Sequence, residues 1–306
     1  MALKSKLLVF LSFGIFAIFF AGVFLSFYHI KASASKKVTQ EKAVYCVGNK
    51  SCQAPNLSIF SKEKLTENQS HEDSFPKTGF CLQVPVLMYH HVQPEEIARE
   101  KGQTSLTVDN NFFDRQMSYL ASNGYHTISA EELVNALVSH TQLPPKTVVV
   151  TLDDGYLDNY TYAYPIFQKY HLIGNLMVPT GLLGVTAGTN TYFTWDNLKE
   201  MVGSGIIFAY NHTWSHFPLG QGSSDKDLYE INTAQNQLKD HLGINSPILV
   251  YPYGSGQNMS RVKNLVKDDG YLAAFSTLYG RFQCDSDMMA LPRIHIGNAP
   301  LTSYGI

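Results

Sequence analysis

The sequence predicts an α/β protein: a distorted (β/α) barrel preceded by one N-terminal transmembrane helix. From residue 84 onward, short apolar runs typical of buried strands alternate with segments of helical period, as in a mainly parallel sheet. A separate uncharged apolar run near the N-terminus is long enough to span a bilayer. Periodicity does not distinguish a closed barrel from an open doubly wound sheet, so the open sheet is the second possibility.

The composition is that of a globular protein with little net charge. Of the 306 residues, 44% are hydrophobic and 16% are charged, which suits a large core and excludes a mainly disordered chain. The 23 Lys and Arg residues against 25 Asp and Glu give a formal net charge of −2 at pH 7. Because nucleic-acid-binding domains are usually basic, we expect no nucleic-acid partner.

Residues 1–30 are predicted to form a signal anchor or a signal peptide. Residues 7–30 contain no Lys, Arg, Asp or Glu. As a helix they would extend about 36 Å, against a hydrocarbon core of about 30 Å. We therefore expect this helix to anchor the chain to the cytoplasmic membrane, with the bulk of the protein outside the cytoplasm. Ala32 and Ala34 also fit a peptidase site, so cleavage near Ala34 to give a secreted or periplasmic protein is the alternative.

Residues 31–80 are predicted to be a polar linker, and residues 81–306 the folded domain. The linker is rich in Lys, Ser, Asn, Gln and Glu and has few periodic apolar positions. The four cysteines agree with export, since disulfides form in oxidising compartments. Pairs Cys46–Cys52 and Cys81–Cys284 are the simplest of the possible connectivities. Metal binding by the cysteines is the alternative, although no Cys-x-x-Cys occurs.

Within the folded domain, strands and helices are predicted in alternation. Apolar and β-branched runs predict the strands, and apolar residues at helical spacing predict the helices. Glu132 lies three residues after Ser129, which is the pattern of a capping box, and Gly243 is a typical helix stop. The predicted strands are 84–89, 147–152, 175–178, 206–210, 247–251 and 271–275. The predicted helices are 111–123, 129–138, 156–170, 195–202, 224–242 and 259–267.

Polar clusters follow four of the predicted strands. In parallel α/β folds the carboxyl ends of the strands share one edge, where chemistry is usually found. The clusters are Asp153-Asp154-Gly155, His212-Thr213-Trp214-Ser215-His216, His90-His91 and Pro252-Tyr253-Gly254. Adjacent carboxylates repel each other, so one of the two Asp side chains normally needs a cation or a shared proton.

A catalytic metal site would account for these clusters. Asp154, His212 and His216 offer three ligands and leave a position open for water, while Asp153 would be a general base. Each cluster also has a plainer interpretation. Asp-Asp-Gly is commonly a turn, His90 and His91 could be a hydrogen-bonded core pair, and the His-x-x-x-His spacing arises readily by chance.

The motifs resemble those of the polysaccharide deacetylases, carbohydrate esterase family 4. The segment TLDDG ending at Gly155 resembles the family's first motif, and HTWSH ending at His216 resembles its second motif. The segment YPYG ending at Gly254 resembles its third motif. The runs VPVLMYHHV, TLDDGYLDNYTYAYPIF, TWDNLKEM, HTWSH and LPRI occur in the family's order over residues 84–296.

The resemblance implies a distorted (β/α) barrel and metal-dependent removal of acetyl groups from N-acetylated sugars. By position, it implies that Asp153 is the base and that Asp154, His212 and His216 hold a divalent metal, commonly Zn²⁺. The backbone N–H of Tyr253 would stabilise the oxyanion.

Two departures from the family pattern affect the site. The motif-three Arg falls on Val250, so another group must orient Asp153, and Arg293 is the candidate; a surface or structural ion pair is the other interpretation of Arg293. The C-terminal motif that supplies a general acid lacks its Leu before His295. Leu87-Met88-Tyr89-His90 resembles that motif in permuted position, as in the branch that deacetylates poly-β-1,6-N-acetylglucosamine. We therefore predict His90 as the acid, with His91 as its neighbour and His295 as the second candidate.

The predicted function is hydrolytic N-deacetylation of an N-acetylglucosamine-containing polysaccharide, with release of acetate. One alternative keeps the chemistry and changes the substrate to peptidoglycan or a chitin-type oligosaccharide. The other is a catalytically silent glycan-binding protein of the cell envelope on the same fold, which the missing Arg at Val250 favours. Four aromatic residues are candidates for stacking on sugar rings, or else belong to the core: Tyr156, Tyr192, Trp195 and Trp214.

Overall fold

The computed structural model describes residues 78–306. The predicted transmembrane helix at 7–30, the cleavage site near Ala34, the Cys46–Cys52 pair and nearly all of the linker lie outside the described residues. Among residues 78–306, no helix combines the length and the apolar composition that crossing a bilayer requires.

Seven parallel strands form a closed barrel in which neighbours in the chain are neighbours in space. Each strand pairs with the next, and the last pairs with the first, so the predicted barrel is confirmed and the open sheet is wrong. The strands are β1 (Val86–Tyr89), β2 (Thr147–Asp153), β3 (Gly174–Val178), β4 (Ile207–Asn211), β5 (Ile248–Val250), β6 (Ala273–Tyr279) and β7 (Leu291–His295).

The barrel is distorted where its last strand joins the others. Strand β7 pairs with β1 at Ile294 and His295, and its register with β6 shifts between Phe275 and Tyr279. The sequence did not predict β7 as a strand, because its Pro292 and its short length weaken the period-2 pattern. The predicted strand at 271–275 also has the wrong bounds, since β6 begins at Ala273 and continues past the buried Ser276 to the exposed Tyr279.

Within residues 78–306, seven α-helices connect the strands. They are α1 (Glu95–Lys101), α2 (Asn110–Ser122), α3 (Ala130–Val138), α4 (Tyr164–Tyr170), α5 (Trp195–Gly203), α6 (Ser224–Leu242) and α7 (Ser260–Asp268). The predicted capping box at Ser129 and Glu132 is present, and Gly243 ends α6 in the left-handed conformation.

Two helical segments differ from the prediction. The predicted helix 156–170 contains a π-helical stretch, Asn159–Ala163, before α4 begins. Helix α1 was not predicted because it buries one side chain only, that of Ala98, and so carries no apolar period.

Alternate residues of β2 face opposite sides of the barrel wall. Val148, Val150 and Leu152 pack in one cluster with side chains of α2 and α4. Val149 packs in a second cluster with side chains of α3 and of the other strands. Because side chains alternate along a strand, Asp153 lies on the same face as Val149, at the carboxyl end.

Short elements surround the barrel. The antiparallel pair Cys81–Gln83 and Phe282–Cys284 is closed by the Cys81–Cys284 disulfide, which confirms that predicted pairing. The other short strands are His91–Val92 with Thr107–Val108, His126–Thr127 beside the start of β2, and Thr186–Ala187 with Asn190–Thr191. The 3₁₀ segments are Thr104–Leu106, Thr180–Leu182, Pro252–Gly254, Asp285–Ala290 and Leu301–Tyr304.

Removal of the disulfide should lower stability, because the bond closes a loop with a sequence separation of 203 residues. Replacement of Cys81 and Cys284 by Ala is expected to reduce the free energy of unfolding by about 2–5 kcal/mol. Urea denaturation of the oxidised chain and of the double variant measures this difference. The same midpoint for both proteins would contradict the prediction.

Candidate active site

The polar clusters predicted from the sequence meet at the carboxyl edge of the barrel. Asp153 is the last residue of β2, His90 follows β1, and His212 follows β4. Tyr253 follows β5 in the segment Pro252–Gly254, and Arg293 lies in β7. Strands that are distant in the sequence therefore present all the candidate side chains at one edge, as parallel barrels do.

Asp154, His212 and His216 form a compact cluster of three potential metal ligands. Asp154 Oδ1 lies 3.3 Å from His212 Nε2 and 3.0 Å from His216 Nε2. One donor atom from each of the three side chains lies within 4.8 Å of the others. One carboxylate oxygen and two imidazole nitrogens are a typical donor set for a divalent transition metal.

The backbone carbonyl of Val250 fixes the tautomer of His212. His212 Nδ1 lies 2.9 Å from Val250 O, and a carbonyl can only accept a hydrogen bond. Nδ1 therefore carries the proton, and the lone pair of Nε2 points into the cluster. Fixing a ligand imidazole through its second nitrogen is the usual arrangement in protein metal sites.

The loops that carry the cluster contain three non-glycine residues with positive φ. The φ angles are 75° at Asp154, 66° at Thr213 and 60° at His216. Each such residue costs on the order of 1 kcal/mol, so surrounding contacts must hold these conformations. Asn211 supplies one of them, because its Oδ1 accepts the Thr213 N–H at 2.8 Å while its Nδ2 donates to Tyr271 Oη at 2.6 Å.

Asp153 is held by a buried, bidentate contact with Arg293. The two terminal guanidinium nitrogens donate to the two carboxylate oxygens at 2.7 Å each, and Arg293 Nε donates to Ser276 O at 2.9 Å. Arg293 is only 1% exposed, so a surface ion pair is excluded. Burial alone would raise the pKa of Asp153, but the facing guanidinium outweighs burial and lowers that pKa below its ordinary value.

Val250, at the position of the family's motif-three Arg, belongs to the core. Its side chain is fully buried beside Phe275. The guanidinium that faces Asp153 thus comes from β7 and not from the end of β5.

His90 and His91 lie in different environments. His90 Nδ1 is buried and has no hydrogen-bond partner among the described residues, and the His90 ring lies edge-on to the His295 ring at 5.7 Å. Burial lowers the pKa of His90, although the Asp153 and Asp154 carboxylates oppose the shift. His91 Nδ1 instead contacts Asp158 Oδ2 at 2.6 Å. The core interpretation therefore suits His91 and not His90.

Tyr253 forms an exposed edge of the site. Its side chain is 72% exposed, its φ is 58°, and its ring centroid lies 4.4 Å from that of His216. The left-handed conformation turns the backbone sharply at this residue, directly beside the cluster of potential metal ligands.

Most of the predicted sugar-stacking aromatics are engaged within the protein. Tyr156 is buried between His91 and Tyr192, with ring centroids 3.5 Å and 5.4 Å away. Trp195 stacks on the His241 ring at 4.1 Å, and Trp214 lies edge-on to Tyr229 at 5.7 Å.

Tyr156 is a site residue whose contact the sequence did not reveal. Its hydroxyl hydrogen-bonds to Asp154, and burial, together with that carboxylate, raises the pKa of Tyr156. The only signal in the sequence was its position two residues after Asp154.

The sequence is similar to those of known polysaccharide deacetylases. Residues 140–274 match the model of the family described as polysaccharide deacetylase. YxkH of Bacillus subtilis (strain 168), named as a polysaccharide deacetylase, is 28% identical over 77% of this chain and 80% of its own length. The poly-beta-1,6-N-acetyl-D-glucosamine N-deacetylase of Escherichia coli (strain K12) is 24% identical over 81% of this chain, and the match spans 41% of that enzyme.

Solved structures show the same fold. The Streptococcus pyogenes deacetylase PplD, solved in complex with acetate, superposes with a TM-score of 0.64 and 28% identity, covering 74% of this chain and 98% of PplD. IcaB from Ammonifex degensii superposes with a TM-score of 0.62 and 25% identity, covering 70% of this chain and 91% of IcaB. The fold, the matching family model and these relatives together show that the chain carries a polysaccharide deacetylase domain, and that it is a hydrolase acting on non-peptide carbon–nitrogen bonds.

Proposed function

We propose that the protein is a metal-dependent N-deacetylase that hydrolyses the acetamide groups of an N-acetylglucosamine-containing polysaccharide. The observation that carries the proposal is the buried Asp153–Arg293 pair next to the Asp154, His212 and His216 cluster. Hydrolysis of an unactivated amide requires a general base and a group that polarises the carbonyl. An ionised carboxylate beside a three-ligand metal site can supply both.

The donor set fits Zn²⁺, with Asp154, His212 and His216 as the proposed ligands. The cluster combines a carboxylate with two imidazoles, and the tautomer of His212 leaves its Nε2 available. A zinc ion bound there would polarise the acetamide carbonyl as a Lewis acid.

The remaining steps are assigned to side chains and backbone of this chain. Asp153 accepts a proton from the water that attacks the acetamide carbon, and Arg293 holds the Asp153 carboxylate ionised and oriented. The Tyr253 N–H donates to the oxyanion that develops on the carbonyl oxygen. His90 gives a proton to the nitrogen as the carbon–nitrogen bond breaks, so the products are acetate and a free amine.

The proposed substrate is a β-1,6-linked polymer of N-acetylglucosamine. The similarity to the Escherichia coli enzyme named for that substrate supports this choice, as does the position of His90 after β1. Peptidoglycan and chitin-type oligosaccharides are the other substrates to be tested. The missing Arg at Val250 favoured the alternative of a catalytically silent glycan-binding protein. It no longer does so, because Arg293 provides Asp153 with a guanidinium partner.

The test combines metal analysis with an acetate assay on the full-length chain. We expect about one equivalent of zinc in protein purified without chelator, and acetate release from β-1,6-linked but not β-1,4-linked N-acetylglucosamine oligomers. Acetate from the β-1,4 oligomers alone would reassign the substrate to the chitin type, and bound metal without acetate from either would redirect the assay to peptidoglycan. A chain that neither binds added zinc nor releases acetate would refute the proposed function.

His90 and His91 give a matched test of the proposed general acid. Replacing His90 by Ala is expected to reduce kcat about a hundredfold, because protonation of the amine is lost while the fold remains. Replacing His91 by Ala should instead lower thermal stability, since the contact with Asp158 is lost. Steady-state kinetics and thermal unfolding of both variants separate the two roles, and an unchanged kcat in the His90 variant would contradict the assignment.

We also propose that residues 7–30 anchor the protein to the membrane, with the domain outside the cytoplasm. The Cys81–Cys284 disulfide supports an oxidising compartment. Fractionation with alkaline extraction should leave the chain in the membrane pellet, whereas cleavage near Ala34 would release it into the soluble fraction.

A further inference from the structure

We propose that Glu230 is a positioning residue of the metal site, which acts by holding the backbone beside His216. This inference rests on the proposed function, because it assumes that His216 is a metal ligand. Glu230 lies in α6, away from the strand ends that supply the other candidate residues.

The Glu230 carboxylate accepts two hydrogen bonds from Ser215, the residue that precedes His216. Its Oε2 accepts the Ser215 N–H at 2.8 Å, and its Oε1 accepts the Ser215 hydroxyl at 2.8 Å. Lys226 Nζ donates to the same Oε1 at 2.7 Å. Both the main chain and the side chain of Ser215 are thus fixed by one carboxylate.

The environment of Glu230 makes this contact strong. The residue is 0% exposed, and a buried carboxylate is retained in proteins only where donors satisfy it. Charge-assisted hydrogen bonds of this kind are roughly twice as strong as neutral ones. The Glu230 carboxylate therefore restrains Ser215 through strong buried hydrogen bonds, unlike a solvated surface charge.

His216 needs such an attachment because its backbone is in the left-handed region. Its φ is 60°, a conformation that a non-glycine residue keeps only when its neighbours impose it. The imidazole must still bring Nε2 within 3.0 Å of Asp154 Oδ1. Fixing the N–H and the hydroxyl of Ser215 restricts the backbone segment that leads into His216 and so the direction of the His216 side chain.

Helix α6 is also tied to the other histidine of the cluster. The backbone carbonyl of Ile231, next to Glu230, accepts a hydrogen bond from Asn211 Nδ2 at 3.0 Å. Asn211 directly precedes His212. One turn of α6 therefore contacts the neighbours of both histidine ligands, so a shift at Glu230 would alter their mutual distance.

Asp227 provides a matched control on the same helix. It is also 0% exposed and also anchors the loop, since its carboxylate accepts the Gly220 N–H at 3.1 Å and pairs with Arg261 at 3.0 Å. Gly220 lies four residues beyond His216, so Asp227 stabilises the fold without holding the ligand's own backbone.

The experiment measures the metal affinity of the full-length apo-protein by competition with a chelator, together with the visible spectrum of its Co²⁺ form. Glu230→Gln should weaken metal binding about 10- to 100-fold, the usual effect of losing an outer-shell partner, and should change the Co²⁺ bands. Asp227→Asn should lower the thermal unfolding temperature comparably but keep wild-type metal affinity and the wild-type spectrum.

Ser215 variants keep the test decisive if Glu230→Gln does not fold. Ser215→Ala removes the hydroxyl and leaves the N–H, so it should weaken metal binding, and Ser215→Thr should restore the affinity. Wild-type metal affinity in Glu230→Gln, or in Ser215→Ala where Glu230→Gln does not fold, would overturn the inference alone, as would equal losses of affinity in Glu230→Gln and Asp227→Asn. A wild-type chain that binds no metal would overturn the proposed function and this inference with it.

Discussion

Asp153→Asn is expected to lower kcat by up to about 10⁴-fold while metal content stays near that of the wild type. An amide cannot take the proton that the attacking water must lose, and its oxygen can still accept a hydrogen bond from Arg293. Asp153 lies outside the cluster of Asp154, His212 and His216, so all three proposed metal ligands remain in the variant.

The control for this prediction is Asp154→Asn, which should lose metal and activity together. Acetate release at saturating substrate, measured beside zinc content, distinguishes the two variants. Substantial turnover by the Asp153 variant would show that another group acts as the base.

Arg293→Met should reduce the free energy of unfolding by about 3–5 kcal/mol, because the Asp153 carboxylate would remain buried without its partner. Activity should fall as well, since the carboxylate loses both bonds that orient it. Arg293→Lys keeps the charge but loses the bidentate geometry. Its free energy of unfolding and its activity should therefore lie between those of the wild type and those of Arg293→Met.

The pH dependence of this stability loss has a defined sign. The pKa of Asp153 is lowered in the folded protein, so the stabilisation is fully present above the ordinary value of about 4 and is lost as the pH falls through the folded-state value. The difference in stability between the wild type and Arg293→Met should therefore shrink on acidification.

A double variant completes the test of the ion pair. Asp153→Asn combined with Arg293→Met leaves neither charge unpaired, so it should be more stable than Arg293→Met alone. Urea denaturation of the wild type, the two single variants and the double variant gives the coupling free energy between Asp153 and Arg293. If Arg293→Met unfolded at the same urea concentration as the wild type, the buried pair would have no structural importance.

The parallel α/β arrangement and the cluster of candidate metal ligands were predictable from the sequence because both follow local rules, whereas periodicity did not separate a closed barrel from an open sheet. Buried parallel strands give continuous apolar runs such as 147–152, and the residue after such a run lies at the carboxyl edge. Asp153, Asp154 and His212 each follow a run of this kind, and the structure brings them to one edge.

The partners of these residues were harder to predict, because they come from contacts across the fold. Arg293 lies in a five-residue strand that begins Leu-Pro, so the sequence left its role open. Glu230 has the spacing of an ordinary salt bridge with Lys226 on a helix surface, yet it is buried and faces Ser215. No period or motif in one sequence distinguishes these cases, since packing between distant segments decides them.

The order in which the strands are synthesised determines when Asp153 can pair with Arg293. Strand β2 supplies Asp153 early, but its guanidinium partner arrives with β7, the last strand of the barrel. Pairing over such a long sequence separation is slow, because the entropy of closing the loop is lost before the contact is gained. During synthesis, the emerging chain therefore carries Asp153 and Asp154 without the guanidinium that pairs with Asp153, and the proposed active site is complete only when β7 closes between β6 and β1.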